Sequence, residues 1–338
     1  MDVSMLTAIA LLIASAGLIY GACEFFVNGV EWVGRKLGVG QTAVGTILAA
    51  FGTALPESVV TFVAVAFGPG AQSKQIGVGA ALAGPLALST IAYALVGICI
   101  LANGRRHGSA ALAVDQRRLA RDQGYFLLIF VCKIALGLVV FSFKPWLGLA
   151  FLAAYAFYFW QEMRHEEEEE HAELEPLKFR PRAAEPAMGW ALAQTVLALA
   201  AIFGASQVFV DQLGRIGPWL GIPPTVVALL LSPLATELPE AMNAIIWIRQ
   251  GKQKLALANI SGAMMIQATV PSALGLFFTP WLFDRALILS GAITLLSILG
   301  MYLLLLRRRL TARKLALFGL LYLVFAAGLL LIRQSAAA

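Results

Sequence analysis

Charge is what this chain has least of. Only 13% of its 338 residues are Asp, Glu, Lys or Arg, while 60% are hydrophobic. A soluble domain carries roughly 25% charged residues, so the composition excludes an ordinary cytosolic globule and points to an integral membrane protein. Cysteine and histidine are also scarce. Cys23, Cys99 and Cys132 are odd in number, scattered and set in apolar stretches, which reads as inert core thiols rather than a disulfide framework. His107, His165 and His171 all fall in polar loops. No HExxH, P-loop lysine or Rossmann glycine pattern is present, so metallohydrolase, nucleotide-hydrolase and dinucleotide redox readings lose their signatures. The apolar runs show no nucleophile–base arrangement either, and the chain is not expected to be an enzyme. The net charge of +6 lies in the loops, where it fits contact with anionic lipid headgroups and implies no nucleic-acid partner.

Long apolar runs take the place of charge. They fall at about 5–30, 40–67, 76–102, 124–142, 146–162, 188–213, 223–248, 254–279, 286–306 and 314–332, each near the ~20 residues that cross a bilayer core. The first carries Asp2 instead of a basic n-region and reads as a retained helix, not a signal peptide. The fold expected is therefore all-α, with ten transmembrane helices. They divide into a five-helix unit over 1–162, a charged cytoplasmic linker over 163–187 and a second five-helix unit over 188–338. The Glu166–Glu170 run in the linker reads as a solvated, self-repelling stretch. Loops after the odd-numbered runs hold nineteen Lys and Arg residues and the opposite loops five, with Lys133 left inside the fourth run. By the positive-inside rule both termini lie outside the cytoplasm, in a plasma (bacterial inner) membrane. An odd number of helices per half makes the second half enter upside down.

The two halves also share a sequence. Residues 21–57 align without a gap on 204–240, and each segment ends in Thr-x-Leu-Pro-Glu. A carboxylate inside an apolar run costs about 2.5–3.5 kcal/mol even on insertion scales, so Glu57 and Glu240 are site candidates, and an inverted repeat places such a site where its halves meet. Pro56 and Pro239 withhold a helical N–H from the carbonyls of Gly52 and Ala235, and freed carbonyls at that depth are tolerated only where they line a cavity. Thr53 and Thr236 precede their glutamates by four residues and share their helix face. Carboxylate, hydroxyl and carbonyl oxygens form a hard-ligand set suited to Ca²⁺ or a related cation. Residues 79–90 align on 257–268, which pairs Ser89 with Gln267 and adds Asn259 and Ser261 nearby. Small residues in these runs also serve close helix packing.

On these residues the chain resembles the sodium/calcium exchanger superfamily of cation antiporters. GTALPE (52–57) and ATELPE (235–240) are similar to the GTSLPE motifs of that family, and the stretch before the first motif is similar to its first-to-second-helix segment. The resemblance implies ion sites formed by the second, third, seventh and eighth helices, with Glu57 and Glu240 as central carboxylates. Thr53, Thr236 and carbonyls near Ala50 and Pro233 would complete the shell, and helices 1 and 6 would slide over the rest. The chain departs from the pattern at Ala54, where serine is usual, and at Glu237, which adds a third carboxylate. Gln267 is more like the cation/proton exchanger branch. A partly desolvated glutamate has a raised pKa and can trade a proton for a metal.

The function expected is secondary antiport of Ca²⁺ or a related cation against Na⁺ or H⁺, with no tightly bound cofactor and with inorganic cations and the lipid bilayer as partners. Two alternatives stay open. One is a proton-coupled exchanger of a different cation. The other is a non-transporting membrane sensor or assembly protein on the same scaffold.

Overall fold

The structure, a computed structural model, describes residues 3–38, 43–67, 70–107, 114–164, 174–219 and 236–337, with Leu112, Leu230 and Pro233. All regular structure among them is helical. That follows from an apolar environment, where each backbone N–H and C=O must find its partner within its own segment.

The first half starts with α1 (Val3–Leu37), which stops at Gly38 with φ +67°, the left-handed position that glycine takes without a Cβ clash. Helix α2 runs through a π turn at Val44–Ala49, an α segment at Ala50–Phe62 and a second π turn at Val63–Phe67. Helix α3 joins Gly70–Ala87, a π turn at Leu88–Ala92 and Tyr93–His107. Asp115 caps α4 (Gln116–Leu138) by accepting from the amides of Arg117 and Arg118. Helix α5 (Leu147–Arg164) completes the half.

The second half holds α6 (Met188–Trp219), α7 (Leu238–Arg249), α8 (Gln253–Phe278) and α9 (Arg285–Leu306). It ends in α10, built of Ala312–Leu317 and Gly319–Ala337. Among the described residues, six stretches are long and apolar enough to cross a membrane: Met5–Leu37, Gly77–Asn103, Met188–Phe209, Gln253–Phe278, Arg285–Leu306 and Ala312–Ile332. The protein is thus an all-α, multi-span membrane protein with inverted-repeat-like symmetry.

Helix α8 is the hub. It packs against α2, α3, α4, α5 and α7, and 83% of its most apolar window is buried, against 22% for α1 and 24% for α6. Helices α1 and α6 instead pack chiefly on each other, so their remaining faces are left for lipid. At 35 and 32 residues they measure roughly 50 Å at 1.5 Å per residue, well beyond a ~30 Å hydrocarbon core, and must tilt.

One expectation changes. Cys23 is a core thiol, but Cys99 is half-buried and Cys132 is exposed. The Glu166–Glu170 run lies outside the described residues, while the later part of the linker is docked on α1 and α6. Asn28 and Trp32 of α1 donate to the carbonyl of Glu175 at 3.3 and 3.0 Å. Gln194 of α6 donates to Asn28 Oδ1 at 2.9 Å and accepts from the Phe179 amide at 2.8 Å. Beyond the helix end, the hydrogen bond from Lys36, with Arg35 beside it, holds the Glu185 carboxyl below the usual carboxylate range.

Candidate functional site

The second motif forms a helix start. Glu237 adopts φ −87°, ψ 4°, and α7 begins at the next residue. Pro239 therefore sits in a first turn, where a missing N–H costs little, and Pro233 and Thr236 just before it are helical, so the proline follows a break in a helical path. Ala235, whose carbonyl the sequence marks as freed, lies outside the described residues. The carbonyl of Pro233 accepts both from the Glu237 amide at 3.1 Å and from Thr236 Oγ1 at 3.2 Å. Both its lone pairs are then in use, which makes it a weaker ligand than a free carbonyl. Glu237 and Glu240 are 3% and 1% exposed, and they sit in the turn where the positive end of the helix dipole favours negative charge.

Glu237 is the carboxylate where three helices converge. Gln267 of α8 donates its Nε2 to both carboxylate oxygens, at 2.9 and 3.0 Å. From α3, Gly84 faces the same pair. A Cβ on Gly84 would lie 2.6 Å from Gln267 Oε1 and 2.8 Å from Glu237 Oε1. A methyl group there would displace the ends of the Gln267 and Glu237 side chains, so glycine leaves the pair its room. The Glu237 side chain, whose orientation the repeat leaves open, thus points into the bundle against Gln267.

Glu240 lies one turn further along α7. Asn259 of α8 donates to its backbone carbonyl at 3.3 Å, and the Cys23 thiol of α1 approaches the Pro239 carbonyl at 3.9 Å. Asn243, a further turn on, is fully buried, and among the described residues neither its amide oxygen nor its nitrogen has a hydrogen-bond partner. Each buried polar atom left so costs about 1–3 kcal/mol, a feature of ligand sites. Asn243 escapes the repeat comparison because its counterpart in the first half is Val60. Its signal in sequence is a polar residue three positions after Glu240, on the same helix face.

The first motif lies within α2, where the side chain of Glu57 is outside the described residues. Thr53 and Ser58 donate to the carbonyls of Ala49 and Ala54, each at 3.1 Å. Ala50 is fully buried at the junction of the π turn and the α segment, and its amide reaches the carbonyls of Gly45 and Ile47. Such π turns shift the helical register and recur at functional sites. The Thr61 hydroxyl, one turn beyond Glu57, is fully buried and has no hydrogen-bond partner among the described residues. Ser89 is placed differently from its counterpart Gln267. Its hydroxyl donates to Leu86 at 3.2 Å, and its carbonyl accepts from Ser297 of α9 at 2.6 Å. On α3, Gly84 rather than Ser89 makes the described contact with Glu237.

Backbone contact sets this arrangement. A Cβ on Gly262 of α8 would fall 2.1 Å from the Thr46 carbonyl oxygen, and one on Gly45 of α2 would fall 2.8 Å from the Ala258 Cβ. Glycines on both helices thus bring α2 and α8 to van der Waals contact. The Thr46 hydroxyl also lies 3.5 Å from Glu162 of α5, and Glu162 accepts from Arg118 at 3.0 Å and from Arg121. One buried carboxylate therefore ties the end of α2 to α4 and α5. Among the described residues no cluster of three or more His, Cys, Asp or Glu side chains could hold a metal. A cation in this core would be held by isolated carboxylates, amides, hydroxyls and carbonyls.

Three comparisons bear on this core. The sodium/calcium exchanger protein family matches residues 7–161 and 190–331. An uncharacterized membrane protein of Methanocaldococcus jannaschii is 23% identical over 264 residues, covering 77% of this chain and 78% of its own. The inner membrane protein YrbG of Escherichia coli K12 is 25% identical over 285 residues, covering 82% and 81%. Among solved structures, the sodium-calcium exchanger NCX_Mj soaked with 10 mM Na⁺ and zero Ca²⁺ superposes with a TM-score of 0.75 at 20% identity, covering 96% of this chain and 99% of its own. At that identity the likeness is one of fold.

Proposed function

The chain belongs to the sodium/calcium exchanger protein family, and from that premise we propose that it exchanges Ca²⁺ or a related cation for Na⁺ or H⁺ at the centre of the bundle. It is a secondary active antiporter and not an enzyme, and its cations are cargo. The single observation that carries the site assignment is Glu237, a buried carboxylate at the start of α7 held by Gln267 of α8 against Gly84 of α3. Glu240 and Asn243 continue the same helix face, and α2 contributes Glu57, Thr53 and Thr61. Two carboxylates, Glu57 and Glu240, balance one divalent charge, and Glu237 beside them tunes the other two. Thr236, Ala50 and Pro233 shape the shell around them. Ser89 lines α3 nearby.

We assign ten spans in two inverted units, 1–162 and 188–338, with both termini outside the cytoplasm. The charge asymmetry of the loops supports this topology. The likeness to YrbG, an inner membrane protein by name, supports an inner-membrane location. Alternating access fits the α1–α6 pair. These two long, tilted helices pack mainly on each other and meet the bundle through a smaller contact, so they can slide as a unit over α2 and α7.

Uptake of ⁴⁵Ca²⁺ into proteoliposomes under an outward Na⁺ gradient, and then an outward H⁺ gradient, tests this. Flux under one gradient that collapses at least tenfold in Glu240→Gln and Glu57→Gln is the expected result. Wild-type flux that survives both replacements would remove the carboxylates from the site. Flux of another cation with none of Ca²⁺ would keep the scaffold and change the cargo.

A further inference from the structure

Lys133 is the one basic residue in the interior of an apolar run of the sequence, Lys254 and Lys314 standing at the first position of theirs, and its surroundings give it a task. It is fully buried on α4, with its ammonium 5.2 Å from the ring centre of Phe130 and 6.0 Å from that of Trp281. Its Nζ donates to the carbonyl of Ala81 at 2.6 Å and to the carbonyl of Gln267 at 3.4 Å. These two acceptors have a common origin. Pro85 lies inside α3 and Pro271 inside α8, and each withholds the N–H that an α-helix gives to the carbonyl four residues earlier. Four residues before Pro85 is Ala81, and four before Pro271 is Gln267. One ammonium therefore takes both carbonyls that the two prolines free.

Two backbone carbonyls freed by helix distortion in a membrane core are the usual ligands of a small cation. Here a covalently attached cation takes them. A neutral donor such as Asn or Ser could cap a carbonyl without the several kcal/mol that burying an ammonium costs, so capping alone does not account for a charge. The charge has a use through Gln267, which gives its carbonyl to Lys133 and its side-chain amide to Glu237. We propose that Lys133 is a built-in cation of the transport site, a positioning residue whose fixed charge balances the Glu237 carboxylate in place of a mobile ion. This rests on the reading that Glu237 belongs to that site. It also gives a reason for an extra carboxylate on α7: a third acidic group is tolerated where a permanent positive charge accompanies it.

The two tasks, capping and charge, separate in one set of variants. Replacing both prolines by alanine (Pro85→Ala with Pro271→Ala) returns backbone N–H groups to Ala81 and Gln267, and so makes the capping dispensable. Adding Lys133→Met to that pair removes the charge, together with its contacts to the Phe130 and Trp281 rings, but no cap that either carbonyl still needs. The triple variant should fold, and purified protein titrated with NaCl against choline chloride at constant ionic strength should show a saturable rise in Tm of about 2–4 °C beyond that of the proline pair. In proteoliposomes the reversal potential should report a change of about one elementary charge per transported cation, while Lys133→Arg keeps the wild-type value. A triple variant that matches the proline pair in salt response and charge would reduce Lys133 to a cap and overturn the proposal. So would a triple variant that fails to fold although both carbonyls are supplied. The Tm readout decides even where no flux is found, in which case the antiport reading fails by itself.

Discussion

At the scale of single residues, the site depends on one hydrogen-bonded pair. Gln267 satisfies both oxygens of Glu237, and hydrogen bonds to a charged group are worth about 1.5–3 kcal/mol each. Gln267→Leu therefore removes both of these hydrogen bonds from a buried carboxylate. The expected outcome is a rise in the KM for the transported cation of about 10–100-fold, with Vmax less affected. Gly84→Ala separates function from stability. The atoms that its new methyl would meet are the ends of the Gln267 and Glu237 side chains, which can swing aside while the backbone stays. Tm should hold within about 2 °C, while cation affinity falls by about tenfold or more because the pair loses its geometry. An unchanged KM in Gly84→Ala would place the cation away from Glu237.

At the scale of elements, the contact between α2 and α8 is less forgiving. A methyl on Gly262 would meet the Thr46 backbone at 2.1 Å, and a backbone cannot rotate away. Gly262→Ala must push the helices apart, and we expect a loss of about 1–3 kcal/mol, read as a lower Tm together with reduced flux. At the end of that same helix contact, Glu162 is 1% exposed between Arg118 and Arg121. Glu162→Gln takes away the carboxylate that Arg118 and Arg121 share, and leaves Arg121 its longer contact with Asp122 at 3.4 Å. Breaking a buried pair on one side costs about 3–5 kcal/mol. The expected loss is about 3 kcal/mol, discounted because a quarter of the Arg121 side chain is exposed and water screens it. Chemical denaturation in detergent measures it. An unaltered midpoint would show that α4 and α5 are held by apolar packing alone.

At the scale of the molecule, the arrangement is a buried hub, α8, with a pair of long helices at its side. The inverted topology predicts opposite faces for two exposed positions. Arg308 lies in the turn after α9, and Val140 lies just beyond α4. In a background with the three native cysteines replaced, Arg308→Cys should react with an impermeant maleimide only from the cytoplasmic side, and Val140→Cys only from outside. Labelling of both from one side would break the ten-span assignment.

Much of this was legible in the sequence because each signal was local. Apolar runs mark helices since lipid offers no hydrogen bonds, and the bounds read for α8 and α9 fall within a residue or two of those observed. The Thr-x-Leu-Pro-Glu repeats marked Glu57 and Glu240 because a buried carboxylate and a proline are costly wherever they stand. What the sequence could not reveal depends on rotation and on distant partners. Asn243 has no repeat-matched polar counterpart, and the side Glu237 faces depends on α7 beginning at Leu238. Lys133 looks like an isolated charge until α3 and α8 bring it carbonyls from residues 52 and 134 positions away. Sequence by itself determined the helices, their repeat and the costly residues, since these follow from each segment's own solvation. Only the tertiary structure decided which costly groups meet, as Glu237 meets Gln267 and Gly84, because that depends on how closely glycine lets the helices approach.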